Sequence, residues 1–193
     1  MARLALRTVT GVLGLALAVG TTVACTGHPD ATTVRPVPAT HAAPIAGADA
    51  MTCEGPIDAL NRLEPSMHSV SGVVAVDTDH TLQASSSGQS DPRWALFAKT
   101  ALVVRVGKPF ELVIPRAWQS RAAVDWGNDG PRQITDHLQV RGCTPVGAHG
   151  KWLVYPGGFW VARPACVPIV VKTATSSRTV HVSVGTRCPT SGD

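Results

Sequence analysis

Side chains capable of acid–base or nucleophilic chemistry are scattered along the 193-residue chain without the spacing of a catalytic motif. A serine nucleophile is often found in Gly-x-Ser-x-Gly or Ser-x-x-Lys, and neither pattern occurs. Glycoside hydrolysis needs two carboxylates across a cleft. Asp77, Glu111, Asp125 or Asp136 could supply them, but their spacing selects no pair. We therefore predict no specific catalytic residue.

Two clusters of side chains that could bind a metal lie in polar segments. They are Asp77, Asp79 and His80 in one segment and Asp125, Asn128 and Asp129 in another. Neither follows the spacing of the twelve-residue calcium loop, and the paired-histidine and Cys-x-x-Cys signatures of zinc sites are absent from the sequence. Asp and Asn commonly hydrogen-bond their own backbone in tight turns. We therefore predict turns at both places, with no metal and no other cofactor.

Tryptophan is frequent relative to the other aromatic residues, because the chain has five tryptophans, three phenylalanines and one tyrosine. In exported, strand-rich domains tryptophan either fills the core or forms a flat apolar platform for sugars or partner proteins. We favour core packing, since a small domain has few other large side chains with which to fill its interior. The candidates for a ligand platform are Trp152, Trp160 and Trp126.

The first 24 residues have the organisation of an export signal. Arg3 and Arg7 form a basic start, and residues 9–19 form an apolar run that is too short for a membrane span. Thr22-Val23-Ala24-Cys25 then resembles the bacterial lipobox, in which the cysteine is lipidated and the chain is cleaved before it. The same bond also suits ordinary signal peptidase. The resemblance implies a lipid anchor at Cys25, and the alternative is a secreted protein.

The number of cysteines supports lipidation. Five cysteines in an exported protein leave one without a disulfide partner, and lipidation of Cys25 leaves four. We predict two disulfides from these four. Cys143 is expected to pair with Cys166 around a strand pair, and Cys53 with Cys188 at the two ends of the domain, because the termini of compact domains often lie close together.

Residues 25–50 are rich in Pro, Ala and Thr and have no apolar periodicity, so we predict a disordered tether after the lipidated cysteine. Removing residues 1–24 lowers the formal net charge from +4 to +2, because that segment contains two arginines and no acid. So small an excess, without a Lys/Arg cluster alternating with aromatic residues, argues against nucleic acid as a partner. The folded domain is expected over residues 51–193.

The C-terminal part of the chain shows the clearest strand pattern. Val167, Ile169 and Val171 recur at every second residue, and beyond Ser176-Ser177 the valines at 180, 182 and 184 do the same. This pattern predicts a β-hairpin with one buried face. Two more hairpins are predicted, around Gly107-Lys108-Pro109 and around Pro156-Gly157-Gly158, where proline and glycine favour a turn.

The remaining segments indicate an all-β domain. Residues 94–106 are predicted to contain a bend or to form two short strands, because Lys99-Thr100 interrupts an apolar run, and residues 77–93 are predicted as a polar surface loop. Apolar residues at helical spacing between two prolines predict one short N-terminal helix over residues 56–65. Eight or nine short strands then indicate an antiparallel, immunoglobulin-like β-sandwich, with a partly open barrel as the alternative.

The export signal, the Cys25 context, the tether and the Ala/Val/Arg-rich composition together resemble small exported lipoproteins of high-GC Gram-positive bacteria. This resemblance implies attachment to the outer face of the cell membrane and identifies no activity. We predict a non-enzymatic, membrane-anchored module that binds an unidentified protein or glycan of the cell envelope. The alternative is an envelope hydrolase, acting on a cell-wall glycan or an ester, whose catalytic residues converge only in the fold.

Overall fold

The computed structural model describes residues 47–127, 133–144, 147 and 149–189, all within the compact unit Ala39–Asp193. Nearly all regular structure in these residues is β-strand, and the strands pack as a β-sandwich, as predicted. No helix in the described part of the chain is long and apolar enough to cross a membrane.

The described residues form fourteen short strands, more than the eight or nine predicted, and two 3-10 helices. The strands are β1 (Asp49–Ala50), β2 (Asp58–Leu60), β3 (Met67–Val70), β4 (Val74–Asp77), β5 (Ala84–Ser86), β6 (Leu96–Lys99), β7 (Leu102–Arg105), β8 (Pro109–Val113), β9 (Ala122–Trp126), β10 (His137–Arg141), β11 (Trp152–Tyr155), β12 (Gly157–Val161), β13 (Ala165–Lys172) and β14 (Ser177–Val184). The 3-10 helices are Pro92–Trp94 and Arg116–Trp118.

Sheet A has the strand order β1-β10-β8-β13-β14. Its β13 and β14 form the predicted C-terminal hairpin, in which Val167 faces Val182 and Ile169 faces Val180. The alternate side chains at 167, 169, 171, 182 and 184 are buried, because successive residues of a strand point to opposite faces. At the other edge β1 pairs in parallel with β10, so Asp49 and Ala50 form a strand at the end of the segment predicted as tether.

Sheets B and C are joined by two strand segments that pass from one sheet into the other. Sheet B has the order β2-β11-β7-β4-β3, and sheet C has the order β5-β6-β12-β9. The register continues across the junction. Tyr155 faces Leu102 on one side of it, and on the other side Gly158, three residues later, faces Lys99, three residues earlier. We call residues 99–102 and 155–158 the bend. Strands that change sheet in this way form the corners of a β-sandwich.

Two glycines allow the strands at the bend to approach one another closely. A β-carbon at Gly157 would lie 2.0 Å from the carbonyl oxygen of Asp125, and one at Gly158 would lie 2.1 Å from the carbonyl oxygen of Ala98. Both distances are far shorter than any real contact of a β-carbon, so no other residue fits without moving the backbone. Trp126 packs at the same bend, where its indole N–H donates a hydrogen bond to the Thr100 carbonyl at 3.1 Å.

Two of the predicted hairpins are wrong. β11 and β12, on either side of Pro156, belong to different sheets, and so do β7 and β8, on either side of Gly107-Lys108. Proline and glycine change the chain direction in both places, but they direct it into another layer and not back along the same sheet. The predicted interruption at Lys99-Thr100 is confirmed, because β6 ends at Lys99 and β7 begins at Leu102.

The short helix predicted over residues 56–65 is also wrong. β2 occupies this segment and pairs with β11, with Ala59 opposite Leu153. Pairing with an apolar strand stabilises the extended conformation, and this tertiary contact outweighs the helical spacing of the apolar residues. The polar loop predicted over residues 77–93 likewise contains a strand, β5, together with an isolated bridge between Leu82 and Val184.

The two predicted disulfides are present, but the predicted pairing is wrong. Cys53 is bonded to Cys143, and Cys166 is bonded to Cys188. The parallel pairing of β1 with β10 brings the chain that leads to Cys53 beside the strand that precedes Cys143. At the other site the backbone N–H of Cys188 donates to Ser183 Oγ at 2.9 Å, which folds the chain back toward β13. Each bridge therefore follows a pair of neighbouring strands.

Candidate functional site

Several predicted features lie outside the described residues, among them the export signal over residues 1–24 and residues 25–46 of the tether. Cys25, the predicted lipidation site, is one of them, so its lipidation stays a prediction. Asn128 and Asp129 also lie outside, so a turn at these two residues stays a prediction, whereas Asp125 of the same cluster lies in β9 and not in a turn.

The prediction of a tryptophan platform is wrong for all three candidates. Trp126, Trp152 and Trp160 are 5%, 6% and 2% exposed, so none offers a ring face to a ligand. The favoured prediction, core packing, is confirmed. Trp126 meets Phe159 edge to face in the main core, at 5.2 Å between ring centroids, whereas Trp152 packs in a smaller apolar cluster with Val103.

The acidic segment after β4 is a turn, as predicted. Oδ1 of Asp77 accepts hydrogen bonds from the backbone N–H groups of Asp79 and His80, each at 3.1 Å. Burial acts to raise the pKa of Asp77, but the hydrogen bonds from His80 and Asp79 outweigh it and hold that pKa below its ordinary value. Among the described residues, no group of three or more His, Cys, Asp or Glu side chains could hold a metal ion.

A histidine and a carboxylate form a partly buried pair on the outer face of sheet A. Nε2 of His137 lies 2.7 Å from Oε2 of Glu111, and the two side chains are 19% and 22% exposed. Lys172 stands directly opposite Glu111 on β13, so the carboxylate lies between two basic side chains. An imidazole oriented by a carboxylate is part of many hydrolytic sites. In the described part of the chain no hydroxyl or thiol is bonded to the His137 ring.

Arginine and tryptophan residues lie on neighbouring segments at the end of sheet C that is away from the bend. β6, β12 and β9 lie side by side there, with Val161 between Leu96 and Ala122. One residue further out, the N–H of Ala162 donates to the carbonyl of Arg121 at 3.1 Å. The segments that precede β6, follow β12 and precede β9 therefore end next to one another.

Arg93 and Trp94 lie in the segment that precedes β6, Arg163 lies in the segment that follows β12, and Arg121 lies in the segment that precedes β9. The 3-10 helix Pro92–Trp94 contacts both β12 and β9, and a turn bond from the Arg121 N–H to the Trp118 carbonyl, 2.9 Å long, places Trp118 there as well. We call the surface formed by these side chains the arginine–tryptophan face. Its members are Arg93, Trp94, Trp118, Arg121 and Arg163.

The tryptophan rings of this face hold arginine side chains in place. The guanidinium of Arg121 lies 4.1 Å from the ring centroid of Trp118, and that of Arg93 lies 5.2 Å from the ring of Trp94. A cation over an aromatic ring is attracted to the negative face of the ring. Both tryptophans are half-buried and all three arginines are exposed, so the rings are fixed while the cations face water.

The electrostatic balance of the face is positive. Asp91 accepts a 2.6 Å bond from Arg93, and this hydrogen bond holds the pKa of Asp91 below its ordinary value. No carboxylate in the described residues forms an ion pair with Arg121 or Arg163. A guanidinium presents a planar set of N–H donors that matches a carboxylate or a phosphate. The face can therefore bind anionic groups without first breaking an ion pair at these two arginines.

Sequence reasoning missed the arginine–tryptophan face, although it contained a partial signal. Arg93 precedes Trp94 directly, and Arg121 follows Trp118 by three residues. Each pair is compatible with a local cation–aromatic contact. That the two pairs lie on one surface with Arg163 depends on the pairing of β12 with both of its neighbours, which no local pattern specifies.

No protein-family model matches the sequence, and no curated protein matches it either.

Proposed function

We propose that the protein is a membrane-anchored extracytoplasmic lipoprotein whose β-sandwich is a non-enzymatic binding module for an anionic glycan of the cell envelope. The observation that carries the proposal is the arginine–tryptophan face, with Arg121 ordered over Trp118 at 4.1 Å and its donors directed to solvent. The two disulfides are compatible with an extracytoplasmic location, since such bonds persist in oxidising compartments. The lipobox-like sequence at Cys25 supports the anchor.

An anionic polysaccharide fits the chemistry of the face. Carboxylates or phosphates along the polymer would accept hydrogen bonds from Arg121 and Arg163, and the partly exposed rings of Trp94 and Trp118 would contact the apolar faces of sugar rings. Insertion into a lipid surface requires protruding apolar side chains. Ile57 is the well-exposed large apolar residue among those described, with 58% of its surface exposed, and it lies beside β2 in sheet B. The face therefore suits a polar polymer better than the interior of a membrane.

Binding can be measured by titrating the purified protein with polygalacturonate, with poly(glycerol phosphate) and with neutral dextran. We expect binding to one or both anionic polymers, none to dextran, and weaker binding as salt is raised because the charges are exposed. Arg121→Gln should weaken binding about tenfold, the loss that corresponds to about 1.4 kcal/mol.

Arg62→Gln is the matched control. Arg62 is also exposed, but it follows β2, which pairs with the start of β11 at the opposite end of the 152–161 segment from the face. Equal binding by wild type and Arg121→Gln would contradict the proposal, and so would equal binding of dextran. Binding to anionic lipid vesicles with none to either polymer would replace the glycan by a membrane surface.

A second candidate, an envelope hydrolase, is favoured by one observation, the 2.7 Å contact between His137 and Glu111. In that function His137 would act as a general base oriented by Glu111. Hydrolysis of cell-wall glycan or of a nitrophenyl ester by the wild type, abolished in His137→Gln with the fold retained, would support it. No turnover by the wild type would leave the binding function as the better description.

A further inference from the structure

The long strand β14 leaves one edge of sheet A open. β14 pairs with β13 without a break, from Ser177 opposite Lys172 to Val184 opposite Ala165. On its other side, within the described residues, the only backbone partner is Leu82 near the far end of the strand. The first five residues of β14, Ser177 to His181, therefore form an open edge, and four of them are well exposed.

The Leu82 bridge shows which backbone groups point outward. The N–H of Leu82 donates to the carbonyl of Ser183, and the N–H of Gly185 donates to the carbonyl of Leu82, each at 2.8 Å. Backbone groups of a strand alternate in direction at every residue, so the N–H and C=O of Ser177, Thr179 and His181 point the same way as those of Ser183. They form a row of donors and acceptors with strand spacing.

This edge lacks most of the features that prevent strands from associating. Natural edges are usually short, bulged, interrupted by proline or charged. β14 is eight residues long, contains no proline, keeps an unbroken register with β13 and has one charged residue, Arg178. An open edge of this kind accepts another extended chain by main-chain hydrogen bonding.

The order of side chains along the edge favours a second copy of this chain. In an antiparallel pairing centred on Thr179, Thr179 would face Thr179 of the partner subunit, and Ser177 would face His181 of the partner subunit. Arg178 would face Val180 of the partner subunit, so no like charges would stand opposite one another. A two-fold interface requires this kind of self-complementary surface.

The two ends of the open edge also suit this register. At one end the hairpin turn at residues 173–176 leads the chain away toward β13, and at the other end Leu82 already occupies the edge. In the pairing centred on Thr179, the Leu82 bridge of each copy would lie level with the hairpin turn of the other copy, which leads away toward β13. We propose that the protein forms a two-fold dimer in which antiparallel β14 strands join two copies of sheet A through Ser177, Thr179 and His181.

Cross-linking tests the register. In a chain with Cys25→Ser, Thr179→Cys should give a covalent dimer with a short bis-maleimide, because directly paired residues of antiparallel strands have Cα atoms about 5.5 Å apart. Thr175→Cys is the matched control, since Thr175 is exposed in the turn of the same hairpin and would lie far from its counterpart. No dimer from Thr179→Cys, or an equal yield from Thr175→Cys, would overturn the proposal.

Sedimentation tests the association without a cross-linker. The wild type should pass from monomer to dimer as its concentration rises, and Thr179→Pro should remain monomeric at the same concentrations. Proline at this position removes an outward N–H and leaves the bonds to β13 intact, so circular dichroism should be unchanged. A wild type that stays monomeric, or a folded Thr179→Pro that dimerises like the wild type, would refute the dimer.

Discussion

Tryptophan has opposite roles in the bend and in the arginine–tryptophan face. Trp126 at the bend is 5% exposed, donates to the Thr100 carbonyl and packs against Phe159. Trp118 at the face is half-buried, and its ring lies under a guanidinium. The first side chain stabilises the junction of two sheets, whereas the second orients a cation toward water. The neighbouring strands, and not the residue type, therefore decide whether a tryptophan fills the core or supports an exposed cation.

The strongest test of this contrast is a change of backbone space at the bend. Gly158→Ala places a β-carbon 2.1 Å from the Ala98 carbonyl oxygen, so the strands must separate. We expect a loss of more than about 4 kcal/mol in the free energy of unfolding, in the range of severe core changes. Chemical denaturation followed by tryptophan fluorescence would measure it.

Gly88→Ala is the control for that substitution. Gly88 has a φ of +73° and no atom within 4 Å of the added β-carbon, so only backbone strain of about 1 kcal/mol is expected. If Gly158→Ala cost no more than Gly88→Ala, the bend would not be the close junction described above.

Removing the disulfide near the bend should lower the free energy of unfolding more than removing the disulfide near the face. Cys53–Cys143 lies near the bend, because the Tyr155 hydroxyl donates to the Cys53 carbonyl at 2.9 Å, whereas Cys166 follows Arg163 of the face by three residues. The loops they close span 90 and 22 residues. Chain entropy then predicts losses of about 4.6 and about 3.4 kcal/mol when each pair is replaced by alanine.

Denaturant titrations of the two double variants would check this order. A larger loss on removing Cys166–Cys188 would mean that local contacts near the face, and not loop length, determine the stabilisation.

Replacing the aromatic rings separates packing from binding. Trp126→Ala should cost about 3 to 5 kcal/mol, because it removes a large buried side chain. Trp118→Ala should cost much less and should instead weaken polymer binding, since Arg121 loses the ring that orders it. Melting temperatures together with binding titrations would show both effects. Equal destabilisation by the two variants would remove the distinction between the regions.

The smallest effect concerns Tyr155 at the bend. The stability that this side chain contributes should depend on pH in the alkaline range, whereas the face should show no such dependence. Burial raises the pKa of Tyr155 to about 12, above its ordinary value of 10. The folded state therefore retains the phenolic proton more strongly than the unfolded state, and the stability due to Tyr155 is complete below pH 10 and is lost as the pH rises toward 12. Comparing wild type with Tyr155→Phe between pH 8 and 12 would reveal this difference. Parallel pH curves would contradict it.

The sequence was sufficient where the structure depends on neighbours in the chain. The alternating apolar residues of β13 and β14 and the break at Lys99-Thr100 both act locally, and both predictions are confirmed. Leu138 and Val140 of β10 are likewise separated by one residue, and both are buried.

The remaining features depend on contacts between residues far apart in sequence. Gly157 and Gly158 have the composition of a turn, and only the closeness of Asp125 and Ala98 shows that they form a junction between sheets. The Cys53–Cys143 pair follows from the parallel pairing of β1 with β10, which a strand of two residues does not reveal in the sequence. For the same reason the arginine–tryptophan face depends on the pairing of β9 with β12, which no local pattern in the sequence specifies.

The order of the two disulfides along the chain also determines how the domain would extend under a mechanical load. Because the bridges close two successive loops, a force applied between the chain ends passes through the sulfur atoms and cannot lengthen either loop. The stretch from Cys143 to Cys166 remains extensible, up to about 80 Å when fully drawn out. That stretch contains β11 and β12. The hydrogen bonds that join β11 to β2 and β7, and β12 to β6 and β9, therefore determine the force at which the domain extends.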